Sequence, residues 1–335
     1  MEQKVNWGVL STAQIGLKHV IPAIQKARGS RVLAIASRDG QRAKQIASEL
    51  HIMKSYDSYD AILADPEINA VYIPLPNHMH VPWIKRAIAA GKHVLCEKPL
   101  ALHAPDIQEL IALRDASKLV IGEGFMVLHH PRWKRVVEFI QEGAIGSLSH
   151  MDGFFSYYNR NAGNIRNNLA YGGGSTYDIG VYPVVISRRV FGEEPLELIA
   201  QGTIDPDFGI DAMTSVMMRF PNGTASFTCS MQLAPYQQIR LFGDTAVLTI
   251  NMPFNSPDNR ELSIDISTGI IPEETRVLER IPACNHYTLQ AEDFTESIIT
   301  GKPFAGSLEH AYANECVIDA IYRSIKSRSW EAVLK

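Results

Sequence analysis

Three features are scarce in this chain of 335 residues: cysteines, long apolar runs and an excess of charge. The four cysteines (Cys96, Cys229, Cys284 and Cys316) are widely spaced and form no CxxC pair, which argues against a zinc cluster or a disulfide framework. No run of about 18 uninterrupted apolar residues occurs, so the sequence predicts no membrane span. The formal net charge of −4 argues against electrostatic binding to nucleic acid or to an anionic membrane.

A secretion signal and a metal site are also not expected. The first residues, Met1-Glu2-Gln3-Lys4-Val5, lack a basic segment followed by an apolar stretch and a small-residue cleavage site. Reduced thiols in a cytoplasm are therefore the simpler prediction. His78 and His80 are two apart on a predicted loop without a carboxylate beside them, and His129-His130 is equally unsuited to zinc, so we predict no metal.

The first third of the chain alternates short apolar strands with amphipathic helices. Repeated β-α units require a parallel sheet with right-handed crossovers. The sequence therefore predicts a doubly wound, Rossmann-like domain over residues 1–122. The predicted strands are 5–10, 31–37, 70–74, 93–96 and 119–122, and the predicted helices run to about Ala27 and over 41–50, 80–90 and 105–117.

Beyond residue 122 most strands follow one another without intervening helices. Turn residues such as Pro221-Asn222-Gly223 separate them, which indicates a large open, mostly antiparallel sheet. We predict an α+β domain over residues 123–335. The predicted strands are 149–158, 197–202, 212–220, 223–231, 237–243, 246–250 and 261–266, and the predicted helices are 133–142, 176–191, 287–300 and 308–327.

The segment Ser11-Thr12-Ala13-Gln14-Ile15-Gly16 follows the first predicted strand, where a dinucleotide-binding domain carries G-x-G-x-x-G. Ser and Ala replace the first two glycines, and both are small enough to let a pyrophosphate approach the backbone at a helix N-terminus. Any strand–turn–helix with small residues is the alternative at this point.

The second predicted strand ends in Ser37-Arg38, about 20 residues after the turn. A carboxylate at this place would accept hydrogen bonds from a ribose 2′-hydroxyl, whereas an arginine offers a planar fork for a 2′-phosphate. The pair therefore favours NADP over NAD. A solvated loop arginine is the alternative.

Two further segments carry groups suited to proton transfer. Lys98, in Glu97-Lys98-Pro99, follows a predicted strand, and ligands of open α/β sheets bind beyond the carboxyl ends of strands. The bond before Pro99 is compatible with a cis turn. Asp178 and Tyr182 are four apart and share one side of a helix, and Gly172–Gly174 before them permits close approach of a ligand. A surface lysine and a tyrosine packed by its ring are the alternatives.

The chain resembles the Gfo/Idh/MocA family of oxidoreductases along essentially its whole length. The motifs that carry the resemblance are Trp7-Gly8-Val9-Leu10-Ser11-Thr12-Ala13-Gln14-Ile15, Pro76-Asn77-His78-Met79-His80, Cys96-Glu97-Lys98-Pro99 and the segment from Gly172 to Tyr182. The Leu-Ser-Thr-Ala turn and the D-x-G-x-Y helix are most similar to the branch with dimeric dihydrodiol dehydrogenase, NADP-dependent D-xylose dehydrogenase and sugar ketoreductases.

The resemblance implies a role for each matching position. Tyr182 would be the general acid/base, Lys98 would lie near the nicotinamide and the reacting oxygen, and Asp178 would bind substrate or orient the acid/base group. The remaining residues would hold the cofactor: Ser11, Thr12, Ala13, Gln14 and Ile15 at the pyrophosphate, Ser37 and Arg38 at the 2′-phosphate, Leu75, Pro76, Asn77 and His80 along the cleft, Glu97 near the ribose, Arg166 near the nicotinamide, and Tyr287 at cofactor or substrate.

These residues lead us to expect an NADP(H)-dependent oxidoreductase that acts on a secondary alcohol or ketone of a sugar, polyol or cyclic diol. The resemblance also implies a homodimer or homotetramer formed through the C-terminal sheet. The asparagines between Tyr157 and Leu169 either line the pocket or form loops. The alternative function is a non-catalytic dinucleotide-binding sensor of the same fold, which would have no need of Lys98, Asp178 and Tyr182 together.

Overall fold

The structure, a computed structural model, describes residues 4–269 and 276–334, and these form two compact units. The first unit runs up to His129 and takes in the later segment Asn285–Tyr312. The second comprises His130–Cys284 and the chain from Ala313 onward. The sequence predicted a single boundary near residue 122. In the structure, the first unit also contains a late segment of the chain, Asn285–Tyr312.

A parallel sheet forms the centre of the first unit. Its elements are β1 (Val5–Leu10), a π-helical turn (Gly16–Val20), α1 (Ile21–Lys26), β2 (Ser30–Ala36), α2 (Gly40–Glu49), β3 (Lys54–Tyr56), α3 (Tyr59–Ala64), β4 (Ala70–Ile73), α4 (His80–Ala89), β5 (His93–Glu97), α5 (Ala104–Ser117) and β6 (Ile121–Gly124). The strand order is β3-β2-β1-β4-β5-β6, and all these pairings are parallel. The predicted doubly wound fold is confirmed.

Burial on both faces explains the apolar strands of this sheet. Every residue of β4 is buried, as are four consecutive residues of β1 from Trp7 to Leu10, because helices cover a parallel sheet on either side. Side-chain caps start two of the helices. Asp39 accepts a hydrogen bond from the Arg42 N–H at α2, and Ser58 accepts one from the Ala61 N–H at α3.

The second unit is built on a nine-stranded sheet. Its elements are α6 (Pro131–Gln141), β7 (Leu148–Tyr158), a π-helical turn (Thr176–Gly180) that continues into α7 (Val181–Phe191), β8 (Glu197–Ile204), β9 (Asp211–Phe220), β10 (Gly223–Ser230), β11 (Gln232–Gly243), β12 (Val247–Asn251), β13 (Leu262–Ser267), β14 (Arg276–Ile281) and, near the end of the chain, β15 (Glu331–Ala332). The order is β14-β13-β12-β11-β7-β10-β9-β8-β15. Only the β7–β10 pairing is parallel among these described strands, so the prediction of a mostly antiparallel sheet is confirmed.

Burial alternates along the central strands of this sheet. On β7, Met151, Gly153 and Phe155 are buried, whereas the residues between them are partly exposed. The same alternation occurs on β9 and β10. One face of the sheet therefore packs against the core of the unit and the other lies open.

Two long helices close the chain, α8 (His286–Thr300) and α9 (Leu308–Ser327). Helix α8 packs in the first unit, where the ring of Phe294 lies 5.2 Å from that of Trp7. The hydroxyls of Ser30 and Thr295 lie 2.6 Å apart in the same interface. No helix among the described residues is both long and apolar enough to cross a bilayer.

Candidate active site

The turn after β1 is shaped by Ser11. This residue has a φ of 137°, a backbone conformation that glycine adopts at far lower cost. Its hydroxyl accepts a hydrogen bond from the Ala13 N–H (3.0 Å) and donates one to the Pro74 carbonyl (3.2 Å). The side chain thus compensates for the missing glycine and fixes the turn at the carboxyl ends of two neighbouring strands.

Two arginines follow the next strand, β2. Arg38 is exposed, while Ser37 before it is buried and accepts a hydrogen bond from the Asp39 N–H (3.2 Å). Arg42, in the first turn of α2, donates from Nε to the Thr12 hydroxyl (2.8 Å) and so reaches the turn after β1. Exposed guanidinium groups beside a backbone turn are suited to a phosphate monoester next to a pyrophosphate. The residues present therefore fit a dinucleotide with a 2′-phosphate.

Glu97, at the end of β5, is surrounded by phenols. The Tyr72 hydroxyl donates to Glu97 Oε1 (2.6 Å), and burial together with the Glu97 charge raises the pKa of Tyr72. Burial, and then the same carboxylate, raise the pKa of Tyr287. Although Tyr287 comes 190 residues later, the structure thus brings it close to Glu97 within the first unit. The Lys98–Pro99 bond that follows is cis.

His80 is fully buried at the start of α4. Its Nδ1 lies 2.8 Å from the Pro99 carbonyl oxygen and its Nε2 lies 2.8 Å from that of Leu75. Burial lowers the pKa of His80 to about 4. The ring therefore connects the loops that carry Leu75 and Lys98, a geometry that favours support of these loops over direct contact with a ligand.

In the second unit, two side chains hold the Asp178 carboxylate. Arg166 donates from Nε to Oδ1 (2.7 Å), and the Tyr157 hydroxyl donates to Oδ2 (2.5 Å). The Asp178 charge raises the pKa of Arg166, and burial together with that charge raises the pKa of Tyr157. The two oxygens of a carboxylate together offer about four acceptor positions, so this group is suited to accept hydrogen bonds from substrate hydroxyls.

Glycines bring the Arg166 segment against the helix that carries Asp178. The Gly174 N–H donates to the Arg166 carbonyl (3.0 Å), and a Cβ on Gly173 would lie 2.3 Å from the same oxygen. A Cβ on Gly174 would lie 2.0 Å from Asp211 Oδ1. We predicted that Gly172–Gly174 allows close approach of a ligand, but at Gly173 and Gly174 the close neighbours are groups of the protein itself.

Asp211 fixes the first turn of the same helix. Its Oδ2 accepts hydrogen bonds from the Ser175 hydroxyl (2.9 Å) and from both the N–H and the hydroxyl of Thr176 (2.8 and 2.7 Å). Its Oδ1 accepts one from the Tyr322 hydroxyl (3.0 Å). Asp211 is 3% exposed, so these bonds anchor a buried carboxylate and, through it, the helix that carries Asp178 and Tyr182.

Tyr182 lies in the first turn of α7 and is 6% exposed. Its ring packs against those of Phe155 and Phe254, with centroids 5.6 and 5.3 Å away. Asp178 lies one turn earlier, in the π-helical turn. Lys98 belongs to the first unit and Tyr182 to the second, so their convergence stays a prediction.

The predicted site residues fall into two sets, one in each unit. Arg166 was predicted near the nicotinamide and contacts Asp178. The first unit contains Ser11, Thr12, Ala13, Gln14, Ile15, Ser37, Arg38, Leu75, Pro76, Asn77, His80, Glu97, Lys98 and Tyr287, and the second unit contains Arg166, Asp178 and Tyr182.

Three residues that the structure adds, Arg42, Tyr157 and Asp211, were not among the predicted site residues. Arg42 has a sequence signal, because it is an arginine one turn after the Ser37-Arg38 pair. Tyr157 and Asp211 belong to no motif.

Models of two protein families match consecutive parts of the chain. Residues 5–125 match an oxidoreductase family with an NAD-binding Rossmann fold, and residues 133–249 match the GFO/IDH/MocA C-terminal domain. The chain belongs to the GFO/IDH/MocA oxidoreductase family. The resemblance inferred from the turn, the Glu-Lys-Pro motif and the D-x-G-x-Y helix is therefore confirmed.

Relatives in this family are similar over nearly the full chain. An uncharacterized oxidoreductase of Rhizobium meliloti is 42% identical over 98% of this chain and 99% of its own. A D-xylose 1-dehydrogenase (NADP(+)) of Haloferax volcanii is 33% identical over 96% of this chain and 97% of its own. Among solved structures, a 3-ketoreductase from Actinomadura kijaniata in complex with NADP and TDP-benzene superposes with a TM-score of 0.91 at 28% identity, covering 96% of this chain and 98% of that one.

Proposed function

We propose that the protein is an NADP(H)-dependent oxidoreductase that interconverts a secondary alcohol and a ketone on a sugar, polyol or cyclic diol. The observation that carries this proposal is the Asp178 carboxylate held by Arg166 and Tyr157 one turn before Tyr182. A protein that only senses a dinucleotide has no use for this set. Two relatives support the same assignment, the D-xylose 1-dehydrogenase (NADP(+)) and the 3-ketoreductase that was solved in complex with NADP.

The cofactor is NADP. Ser11–Ile15 would hold the pyrophosphate, and Ser37 with Arg38 and Arg42 would hold the 2′-phosphate. When bound, the cofactor supplies or accepts the hydride. The protein positions the two reactants and moves the proton.

Tyr182 exchanges a proton with the substrate hydroxyl in this proposal. In this role the Lys98 ammonium would favour the phenolate form of Tyr182, which suits a group that alternates between donor and acceptor. Asp178 accepts hydrogen bonds from neighbouring substrate hydroxyls. Because Arg166 and Tyr157 already donate to it, we assign Asp178 to orientation rather than to proton transfer.

The open face of the nine-stranded sheet is proposed to pair with a second copy of the chain, giving a homodimer or a homotetramer. Partly exposed aromatic rings lie among polar groups on it, for example Phe154, His150 and Phe242. The rings of His150 and Phe242 lie 5.9 Å apart, and those of Phe154 and Tyr236 meet edge to face at the same distance. Aromatic side chains among polar neighbours are typical of protein interfaces.

A panel of sugars, polyols and cyclic diols, assayed in both directions with NADP and NADPH, tests this function. With the best substrate, we expect Tyr182→Phe and Lys98→Ala to lower kcat about a hundredfold or more, because each change removes part of the acid/base set. The control is Tyr158→Phe, which removes a hydroxyl from a side chain that is 65% exposed. Near-normal turnover in both site variants would overturn the catalytic assignment. NADPH binding without turnover of any panel member would favour the sensor.

A further inference from the structure

The Tyr182 ring is enclosed by a segment that is remote in the chain. Phe254 is fully buried and lies in the loop after β12. Its ring stacks on Phe155 with centroids 4.8 Å apart and lies 5.3 Å from Tyr182. One side of the packing around Tyr182 is therefore formed by the loop after β12, and not by α7 or by the strand β7 that carries Phe155.

A buried arginine holds the first part of this loop. Arg132 is 1% exposed and donates to the carbonyl oxygens of Asn251 (3.0 Å) and Met252 (2.6 Å), and to the Ser256 hydroxyl (3.0 Å). Met252 has a φ of 50°, a backbone conformation that residues other than glycine seldom adopt. The guanidinium thus fixes a strained backbone in one conformation.

Two further side chains hold the part of the loop next to Phe254. Trp133 donates from its indole N–H to the Pro253 carbonyl (3.2 Å). Gln237 accepts hydrogen bonds at Oε1 from the N–H groups of Phe254 (3.1 Å) and Asn255 (3.0 Å). Each hydrogen-bonding group is in α6 or β11, so the loop is tied to regular structure on two sides.

We propose that residues 251–256, the Phe254 loop, position the phenol of Tyr182, with Phe254 as the positioning residue and Gln237 and Arg132 as its supports. The inference rests on the proposed role of Tyr182. A tyrosine side chain turns about two torsions, and the stacked pair of rings packed against it, Phe155 and Phe254, restricts these torsions. Proton transfer depends on the oxygen being held within a fraction of an ångström, so loss of one of these rings lowers turnover without removing a reacting group.

The kinetic test uses two variants with matched controls. Phe254→Leu removes the ring, and Gln237→Met removes the acceptor for the two loop N–H groups at similar side-chain length. We expect each to lower kcat about tenfold while KM for NADPH changes less than about twofold. Gln237→Glu keeps an acceptor oxygen and should restore kcat. The controls are Phe220→Leu, a buried ring of the same sheet that stacks on Phe191, and Gln201→Met at an exposed position of β8; both should keep wild-type kcat.

A double-mutant cycle separates positioning from a general loss of structure. In the Tyr182→Phe background, Phe254→Leu should cause no further fall in kcat, because the group that it positions is gone. An equal fall in both backgrounds would overturn the proposal. Failure of the proposed function is a different result, since Tyr182→Phe alone would then leave kcat unchanged.

A second measurement needs no turnover. With tyrosine labelled at Cε with carbon-13, the Tyr182 resonance is the one that Tyr182→Phe removes. We expect it to shift in Gln237→Met, to return in Gln237→Glu and to stay in place in Gln201→Met. An unchanged resonance in Gln237→Met would show that the loop does not hold the ring, and would overturn the inference whatever reaction the protein catalyses.

Discussion

At the scale of single residues, we propose that the two arginines after β2 determine which dinucleotide the first unit accepts. Arg38 is exposed beside the buried Ser37, and Arg42 reaches the turn after β1 through Thr12. An Asp or Glu in place of Arg38 would repel a 2′-phosphate, whereas the guanidinium groups of Arg38 and Arg42 would attract it. In this proposal, two side chains set the preference for NADP over NAD.

We expect Arg38→Ala and Arg42→Ala each to raise KM for NADP about tenfold or more, because a charge-assisted hydrogen bond contributes about 1.5–3 kcal/mol. KM for NAD, which lacks the 2′-phosphate, should change much less. Steady-state kinetics with both cofactors measure this preference. Lys44→Ala removes an exposed cation from the same helix and serves as the control. An unchanged preference in either arginine variant would remove that residue from the 2′-phosphate site.

Residues within motifs were predictable, and isolated ones were not. Ser11 and Asp178 occur in patterns that themselves predict a role, whereas the role of Glu97 is implied by the family resemblance. Tyr157 donates a hydrogen bond to Asp178, which is 21 positions away in the chain. Asp211 accepts hydrogen bonds from Ser175 and Thr176, which are 36 and 35 positions away. A single sequence carries no sign of such pairings, since they arise only when the strands assemble.

At the scale of elements, periodicity predicted nearly every long helix and strand, including both closing helices. The elements that it missed are short or lie near a sheet edge. Strand β3 has three residues and α3 has six, which is too short for a periodic pattern to emerge. Strand β14 lies at one end of the nine-stranded sheet and β15, with two residues, at the other.

The N-terminus of α6 makes the stability of the second unit depend on pH. His130 Nδ1 accepts a hydrogen bond from the Arg132 N–H (3.1 Å). Burial, and then the Arg132 charge, lower the pKa of His130 from its ordinary value of 6.5 to about 4. Between these values the unfolded chain binds a proton that the folded chain does not. The free energy of unfolding therefore falls as the pH falls from 6.5 towards 4.

His130→Asn retains a capping acceptor and removes the titration. Urea unfolding followed by fluorescence should show the wild type losing up to about 1.4 kcal/mol more per pH unit than the variant in this window. Above pH 7 the two should depend on pH equally. Parallel curves throughout would mean that His130 titrates normally in the folded protein.

At the scale of the whole molecule, the open sheet face is the surface on which assembly is expected. Thr228 lies on β10 near the centre of this face, partly exposed, with its hydroxyl 2.9 Å from that of Ser215. Thr228→Lys would place an unpaired ammonium in a buried interface. We expect the dissociation constant of the oligomer to rise about a hundredfold or more.

Sedimentation velocity over a range of protein concentrations measures this change. Ala89→Lys, which adds the same charge at an exposed position of α4, should leave assembly unaltered. A wild-type protein that sediments as a monomer at all concentrations would exclude the proposed interface.

The segment Asn285–Tyr312 ties the first half of the fold to the last part of the chain. Phe294 packs on Trp7, and the rings of Phe294 and Phe304 lie 5.1 Å apart. During synthesis on the ribosome, the nascent Rossmann half therefore emerges with apolar surface around Trp7 uncovered. Phe294 follows Trp7 by 287 residues, so this surface stays uncovered until translation is almost finished, and we expect the amino-terminal half to be prone to aggregation until then.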